Sequence, residues 1–243
     1  MSKVVIVTGG SRGIGAATAK LLGAKGYAVC VNYLANRERA DDVADCIIRA
    51  GGRAFACQAD VSSEADVIRL FDAAEERFGK VTHLVNNAGI LFTQSKLVDI
   101  DLERFNQVLN SNVVSCFLCS REAVRRFPAG SAIVNVSSLA SQTGSPFEYV
   151  DYAASKGAMD TLTKGLSREV AGSGIRVNAV RPGFIYTDMH ADGGEPGRVD
   201  RLAPQIPMQR GGSAEEVANT IAWLLSDEAS YVTGSFIDVA GGR

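Results

Sequence analysis

Short runs of apolar and β-branched residues alternate along this chain with longer segments whose apolar positions recur every three or four residues. Residues 4–8, Val-Val-Ile-Val-Thr, form an unbroken apolar run, the pattern of a strand covered on both faces in a parallel sheet. Comparable runs at 27–32, 53–58, 83–86, 132–137, 176–181 and 235–239 complete a predicted set of seven strands. Helical periodicity is expected over 16–25, 37–50, 63–78, 101–127, from Tyr152 onward and over 214–225. Strands that alternate with helices predict an α/β fold with a parallel sheet and helices on both faces.

The turn after the first run carries a binding signal. Gly9, Gly13 and Gly15 follow Gly-x-x-x-Gly-x-Gly, a variant of the dinucleotide fingerprint, between the first predicted strand and the first predicted helix. Glycines let the backbone approach a pyrophosphate, and the free N–H groups and positive dipole end of the helix face its charge. Ser11, Arg12 and Ile14 fill the same turn.

The end of the second strand chooses between cofactors. An NAD site places an acid about 20 residues past the glycines, on the ribose 2′-hydroxyl. Here the positions are Asn32 and Tyr33, with no acid before Glu38. A carboxylate would repel a 2′-phosphate, whereas Arg12 and Arg37 could bind one, so NADP(H) is expected rather than NAD(H). Asp60 and Val61 leave the third strand where an adenine could lie. Asn87, Ala88 and Gly89 end the fourth at the reversal of strand order, where open α/β sheets bind ligands, although amides and glycine also suit a plain turn.

Tyr152 and Lys156 are four residues apart and share a face if the segment is helical. The i+4 apolar row Ala154, Ala158, Leu162, Leu166 and Val170 supports that helix. An ammonium about 4 Å from the phenol is worth roughly 4 kcal/mol at an effective dielectric of about 20, enough to draw a tyrosine pKa of about 10 toward neutrality. Asn112, in the apolar middle of the 101–127 helix, reads by periodicity as a satisfied structural amide. Residues 186–207, broken by Gly193-Gly-Glu-Pro-Gly197, are expected to form an irregular mobile flap over the site. Trp223 is expected in the core.

Composition narrows the classes. Of 243 residues, 46% are hydrophobic and 21% charged, as in one globular domain spanning 1–243 with a substantial core. A formal charge of -2 gives no broad footprint for nucleic acid or an anionic membrane. No apolar run approaches the roughly 18 residues of a membrane span. Strand-like residues start at Lys3 with no room for a signal peptide, so a cytoplasmic protein is expected. Cys30, Cys46, Cys57, Cys116 and Cys119 read as reduced, largely core thiols. Cys116-Phe-Leu-Cys119 has a metal-like spacing, but without a second pair, and with only His83 and His190 as imidazoles, no metal site is expected.

Taken in order, Thr8-Gly-Gly-Ser-Arg-Gly-Ile-Gly15, Asn86-Asn-Ala-Gly89, Tyr152-Ala-Ala-Ser-Lys156 and Arg181-Pro-Gly183 resemble the motifs of the short-chain dehydrogenase/reductase family. The likeness covers essentially all 243 residues and is nearest in pattern to 3-oxoacyl-carrier-protein reductases and glucose or polyol dehydrogenases. It implies a single Rossmann-type doubly wound domain with a seven-stranded parallel sheet, and hydride transfer between a nicotinamide and a ketone or secondary alcohol. Tyr152 would exchange the proton, Lys156 would lower its pKa and hold the nicotinamide ribose, and Ser138 would bond the substrate oxygen. Asn112 would hold a water linking Lys156 to solvent, and Pro182, Gly183 and Thr187 would lie beside the nicotinamide.

Ser138 takes the family's serine position, 14 residues before Tyr152, and its neighbour Ser137 must point to the opposite strand face. The resemblance also implies a homotetramer built on the helices that start near Asp101 and Tyr152. Two substrate readings stay open. Asp188, His190, Asp192 and Glu195 on the flap suit a hydroxylated small molecule, while Arg125, Arg126, Arg198 and Arg201 suit an acidic carrier protein. A non-catalytic NADP(H)-binding sensor is the rival from another class, and the intact Ser138, Tyr152 and Lys156 speak against it.

Overall fold

The structure is a computed structural model that describes residues 3–243. Its strands are Val4–Val7 (β1), Ala28–Tyr33 (β2), Arg53–Gln58 (β3), His83–Asn86 (β4), Ala132–Val136 (β5), Arg176–Pro182 (β6) and Phe236–Val239 (β7). They form one seven-stranded sheet in the order β3-β2-β1-β4-β5-β6-β7, and every pairing is parallel. β1, β2, β4 and β5 are buried from end to end, as their continuous apolar runs require. Strand order reverses beside β1, so the turns leaving β1 and β4 open side by side at one edge of the sheet.

The helices are Gly13–Ala24 (α1), Arg37–Arg49 (α2), Glu64–Phe78 (α3), Leu102–Leu109 (α4), Ser115–Arg126 (α5), Ala140–Thr143 (α6), Val150–Val170 (α7), Met189–Asp192 (α8), Arg198–Leu202 (α9) and Ala214–Leu225 (α10). One core packs α1, α2 and α10 on the sheet, and a second packs α3, α5 and the end of α7 on the other face. Leu22 in the first and Leu70 in the second are fully buried, each worth about 1.5–3 kcal/mol of transfer from water. Helix starts carry the expected chemistry: Asp101 accepts from the Arg104 amide at 2.7 Å, and Ser213 and Glu216 close a capping box on α10.

The structure corrects the sequence reading at four places. The helix predicted over 101–127 is interrupted by a π-turn, Asn110–Val114, centred on Asn112. Such insertions mark functional sites more often than plain helix does. α7 forms as predicted, but of the predicted apolar row Ala154 and Ala158 are exposed and Leu162 half-buried, with only Leu166 and Val170 reaching the core, while Tyr152, Ser155, Lys156, Met159 and Thr163 turn inward. Burial of that polar face is tolerated because its groups pair: Asn135 Nδ2 donates to Thr163 Oγ1 at 2.8 Å, and Thr163 Oγ1 donates to the Met159 carbonyl at 2.8 Å. Trp223 is 38% exposed, on the solvent side of α10, rather than in the core. The 186–207 stretch is only partly irregular. It holds α8, α9 and a 3₁₀ turn, with Val199, Leu202 and Ile206 buried.

Candidate active site

At the strand-order reversal the glycine turn and the Asn86–Gly89 turn are built as one unit. Thr8 Oγ1 accepts from the amides of Asn87 and Ala88 at 2.9 and 3.0 Å, and Asn87 Nδ2 donates to the carbonyls of Thr8 and Gly9 at 2.9 and 3.0 Å. A methyl group on Gly15 would stand 2.4 Å from the Gly9 carbonyl, so this glycine permits the fold of the turn onto α1 rather than lining a cleft. Gly9 and Gly13 hold φ of +60° and +53°, which favours glycine at both. α1 opens with no side-chain cap and no acid in its first turn. Its first N–H groups are therefore available to an anion.

A cleft of about 420 Å³ runs over this unit. Gly9, Ser11, Arg12, Gly13, Ile14 and Tyr33 line it, as do Asp60, Val61, Asn87, Ala88, Gly89 and Thr187. Two more of the expected contacts have their side chains engaged elsewhere. Asn32 borders the cleft but is 2% exposed and spends its amide on the backbone, accepting from Gly9 N at 3.2 Å and donating to Ala59 O at 3.1 Å. It pins the glycine turn to the end of β3. Arg37 lies away from the cleft, its side chain 79% exposed and paired with Asp41 one helical turn on.

Besides Arg12, the cleft is bordered by Arg39, beside Asn36, whose side chain caps α2 by accepting from the Arg39 amide at 3.0 Å. Asn-x-x-Arg after a strand was a readable signal, since an N-cap fixes which residues of the first turn face the strand end.

A second cleft, of about 370 Å³, joins the first; Ile14, Asn87, Gly89, Thr187 and Met189 border both. Ser138, Tyr152 and Lys156 line the second cleft, with Pro182 and Gly183 beside them. The Ser138 hydroxyl accepts from Ala140 N at 3.1 Å and lies beside the Tyr152 phenol, where it opposes the rise of the phenol's pKa. Ser137 is buried, and its hydroxyl donates to the Lys156 carbonyl at 3.3 Å, which leaves Ser138 as the serine facing the tyrosine. Lys156 Nζ donates to the Val136 carbonyl at 2.9 Å and lies 5.4 Å from the centre of the Tyr152 ring. Its remaining N–H groups are not consumed by a carboxylate.

The expected depression of the Tyr152 pKa is not what the fold produces. Burial pushes the phenol up to about 12, opposed only by the Ser138 hydroxyl, and burial draws the Lys156 ammonium down to about 8. Desolvation of a fully enclosed pair outweighs the helical-pair attraction that spacing alone suggests. Tyr152 is thus a protonated acid at neutral pH.

Asn112 projects from the π-turn with both amide protons and its oxygen engaged. Oδ1 accepts from Ile90 N at 2.8 Å, and Nδ2 donates to Ile90 O and Ser155 Oγ at 3.0 Å each. Two residues that the sequence reading missed, Arg104 and Asp151, fix the start of α7. Asp151, 2% exposed, accepts from Arg104 Nε at 2.7 Å and from Tyr152 N at 2.9 Å, so α4 holds the tyrosine's turn in place.

Of the flap's polar residues singled out as substrate contacts, only His190 borders the second cleft. Burial lowers its pKa, and it stands there as a neutral imidazole. Asp188 and Asp192 pair with Arg39 and Arg12, while Glu195 holds Arg198, Arg201 and Gln94. Arg198 is 4% exposed between the Tyr149 and Phe184 rings and is clasped by both oxygens of Glu148. The arginines considered for an acidic carrier protein are therefore engaged, with Arg126 held by Asp72, Glu75 and Glu122, and Arg125 by Glu122. Among the described residues no group of three or more His, Cys, Asp or Glu side chains is placed to hold a metal, and no helix is long and apolar enough to cross a membrane. Cys116 and Cys119 are buried thiols, both pushed up by burial.

Residues 9–243 match the family described as enoyl-(acyl carrier protein) reductase. The chain is similar to the uncharacterized oxidoreductase YgfF of Escherichia coli (strain K12), 62% identical over 99% of both chains. It is 38% identical to the 3-oxoacyl-[acyl-carrier-protein] reductase FabG of Staphylococcus aureus (strain N315), over 100% of this chain and 98% of the other. A solved structure of a doubly substituted short-chain dehydrogenase/reductase of Serratia marcescens superposes with a TM-score of 0.92 at 38% identity, covering 99% of this chain and 97% of that one. A glycine turn locked to the Asn86–Gly89 turn, a Ser138–Tyr152–Lys156 cluster in the cleft that adjoins it, and these full-length likenesses establish that the chain belongs to the short-chain dehydrogenase/reductase family and is an oxidoreductase.

Proposed function

We propose that this oxidoreductase is an NADP(H)-dependent enzyme that reduces the carbonyl of a small polar ketone, or oxidises the matching secondary alcohol, within a single domain of residues 1–243. The observation that carries the reading is the placement of Ser138, Tyr152 and Lys156 together in the second cleft, which opens into the first past Ile14, Asn87, Gly89, Thr187 and Met189. A dinucleotide fits the first cleft: the uncapped start of α1 faces it, and Gly9 keeps the backbone low, since a methyl there would stand 3.0 Å from Ala88 Cα. Arg12, Asn36 and Arg39 gather at its far end, where a 2′-phosphate needs donors. When bound, the cofactor supplies or accepts the hydride at its nicotinamide ring.

The chain's own groups do the rest. Tyr152, protonated at neutral pH, gives its proton to the carbonyl oxygen as negative charge develops there. Ser138 has its oxygen fixed by the Ala140 amide, so its proton is free for the phenol or the same substrate oxygen. Lys156, with one N–H on the Val136 carbonyl and one on the Met159 sulfur, has one left for a ribose hydroxyl, and its charge stabilises the phenolate that Tyr152 leaves. Asn112 ties Ile90 to Ser155 and so holds the α7 turn between Tyr152 and Lys156; its role is positional.

Arg198, buried and clasped by Glu148, and Arg126, held by three carboxylates, are not open to an acidic carrier, which favours a free small molecule. His190, Tyr149 and Ser145 around the second cleft suit one with hydroxyl groups. The outward face of α7, with open space at Gly157 and Gly165, supports a homotetramer, checked by a sedimentation mass near four chains.

The test of function is a panel of ketones and hydroxyketones followed by NADPH oxidation. Tyr152→Phe is expected to lose about 10²–10⁴-fold in rate while still binding NADPH by fluorescence. A variant as fast as wild type removes Tyr152 as the proton donor. A wild-type protein that binds NADPH yet reduces nothing on the panel favours the sensor reading.

A further inference from the structure

Both arginines at the far end of the first cleft are already held by carboxylates of the flap. Arg12 Nη2 lies 2.5 Å from Asp192 Oδ2, and Arg39 Nη1 lies 2.8 Å from Asp188 Oδ2. The cations come from distant parts of the chain, the turn after β1 and the first turn of α2. The carboxylates come from one place, the two ends of α8, four residues apart. The flap is thereby drawn across the cleft at two points, and Thr187, Asp188 and Met189 border it.

All four side chains remain about half exposed, between 43% and 55%, so each pair is of the weak, solvent-screened kind. A phosphate dianion carries more charge than a carboxylate and offers three acceptor oxygens. It can replace either carboxylate on the same guanidinium.

Building on the NADP(H) reading, we propose that Asp188 and Asp192 act as resident stand-ins for the 2′-phosphate and are affinity-setting and selectivity residues for the cofactor. They keep Arg12 and Arg39 occupied and the leading part of the flap pinned. The incoming 2′-phosphate takes both arginines and frees residues 188–194. NAD(H) has no group to do this and leaves the pairs intact. The trailing part stays tethered, because Arg198 is clasped by Glu148 and Glu195 independently of the cleft. The moving piece is therefore α8 and the Gly193–Gly194 turn that follows it. Entry to the second cleft through His190 and Met189 then depends on the cofactor arriving first.

The probes are 2′,5′-ADP and 5′-AMP, which differ in the 2′-phosphate and lack the nicotinamide. Titration calorimetry is expected to show the Asp188→Asn/Asp192→Asn double variant binding 2′,5′-ADP roughly 2- to 20-fold tighter than wild type, with 5′-AMP unchanged. Hydrogen–deuterium exchange supplies a second readout at the amides of Ala191, Asp192 and Gly193, which bond back within α8 at 3.0–3.1 Å. In wild type 2′,5′-ADP should speed their exchange and 5′-AMP should not. In the double variant exchange should be fast without any ligand.

If the double variant binds 2′,5′-ADP as wild type does, or if the ligand leaves α8 exchange unchanged, the stand-in role is overturned. Weakening of 2′,5′-ADP by Arg39→Ala would in that case leave the NADP(H) reading intact. If wild type binds the two probes alike, the NADP(H) reading falls, and the inference with it.

Discussion

Asn112 Nδ2 donates to Ser155 Oγ at 3.0 Å, and this bond joins the π-turn after α4 to the one turn of α7 that lies between Tyr152 and Lys156. Ser155 in turn donates to the Tyr152 carbonyl at 2.6 Å, so the amide is coupled to the backbone of the proton donor. The same amide holds Ile90 on both its N–H and its C=O. One side chain thus sets the distance between the Gly89–Ile90 edge of the cofactor cleft and α7.

Asn112→Ala leaves an N–H, a carbonyl and a hydroxyl without their partner in a dry site. A loss of about 1–3 kcal/mol in unfolding free energy is expected, read from urea midpoints. Carbonyl reduction should fall as well, and Asn112→Asp, which keeps the acceptor for Ile90 N but not the donors, should recover less than half of the stability loss. Full stability in Asn112→Ala would show that the strut is idle.

Lys156 gives a pH dependence with a defined sign. Its pKa is drawn down to about 8 by burial, so it is charged at pH 7 and loses its charge as pH rises through 8. Since kcat/KM reports groups of the free enzyme, carbonyl reduction should be level between about pH 6 and 7.5 and fall above about 8. Tyr152, pushed up to about 12, contributes nothing in that range. Lys156→Arg keeps a charge at all these pH values and should lose the inflection, whatever its absolute rate. An inflection that persists near 8 in Lys156→Arg would assign it to another group.

His83 predicts an acid sensitivity unconnected with the site. Its ring is 2% exposed, meets the Tyr27 ring edge-on at 5.1 Å, and has a pKa lowered to about 4, chiefly by burial and also by the Lys3 charge. The unfolded chain takes up this proton near pH 6.5 and the folded chain only near 4, so the stability is present above about 6.5 and is lost on the way down to 4. The full window is worth about 3 kcal/mol. His83→Gln, which does not titrate, should lose about 2–3 kcal/mol less than wild type between pH 7 and pH 4.5 in urea unfolding. Equal losses would mean that carboxylates alone govern the acid limb.

Strand positions, the glycine turn and the Tyr152–Lys156 helix were legible in the sequence because each is encoded within a few residues: β-branched runs for strands, glycine spacing for the turn, i+4 repetition for the helix. Ser138 was also within reach through the family's serine position, although β5 ends at Val136, before both serines, so only the fold shows which of the two faces Tyr152. Other features depend on what packs against what. Periodicity states that Ala154, Ala158 and Leu162 share a face, but only the pairing of Thr163 with Asn135 lets the polar face of α7 turn inward. Arg37 and Arg39 are equivalent as text; the cap at Asn36 sends Arg39 to the cleft and leaves Arg37 to Asp41.

The flap's acids read as substrate contacts, yet partners more than a hundred residues away make Asp188 and Asp192 ties to Arg39 and Arg12. The same distinction applies to Tyr152. The sequence determined its neighbour four residues on, and with it an attraction that lowers a pKa. The tertiary structure decided how much water surrounds the pair, and because desolvation acts on each charge separately and strongly, burial set the outcome.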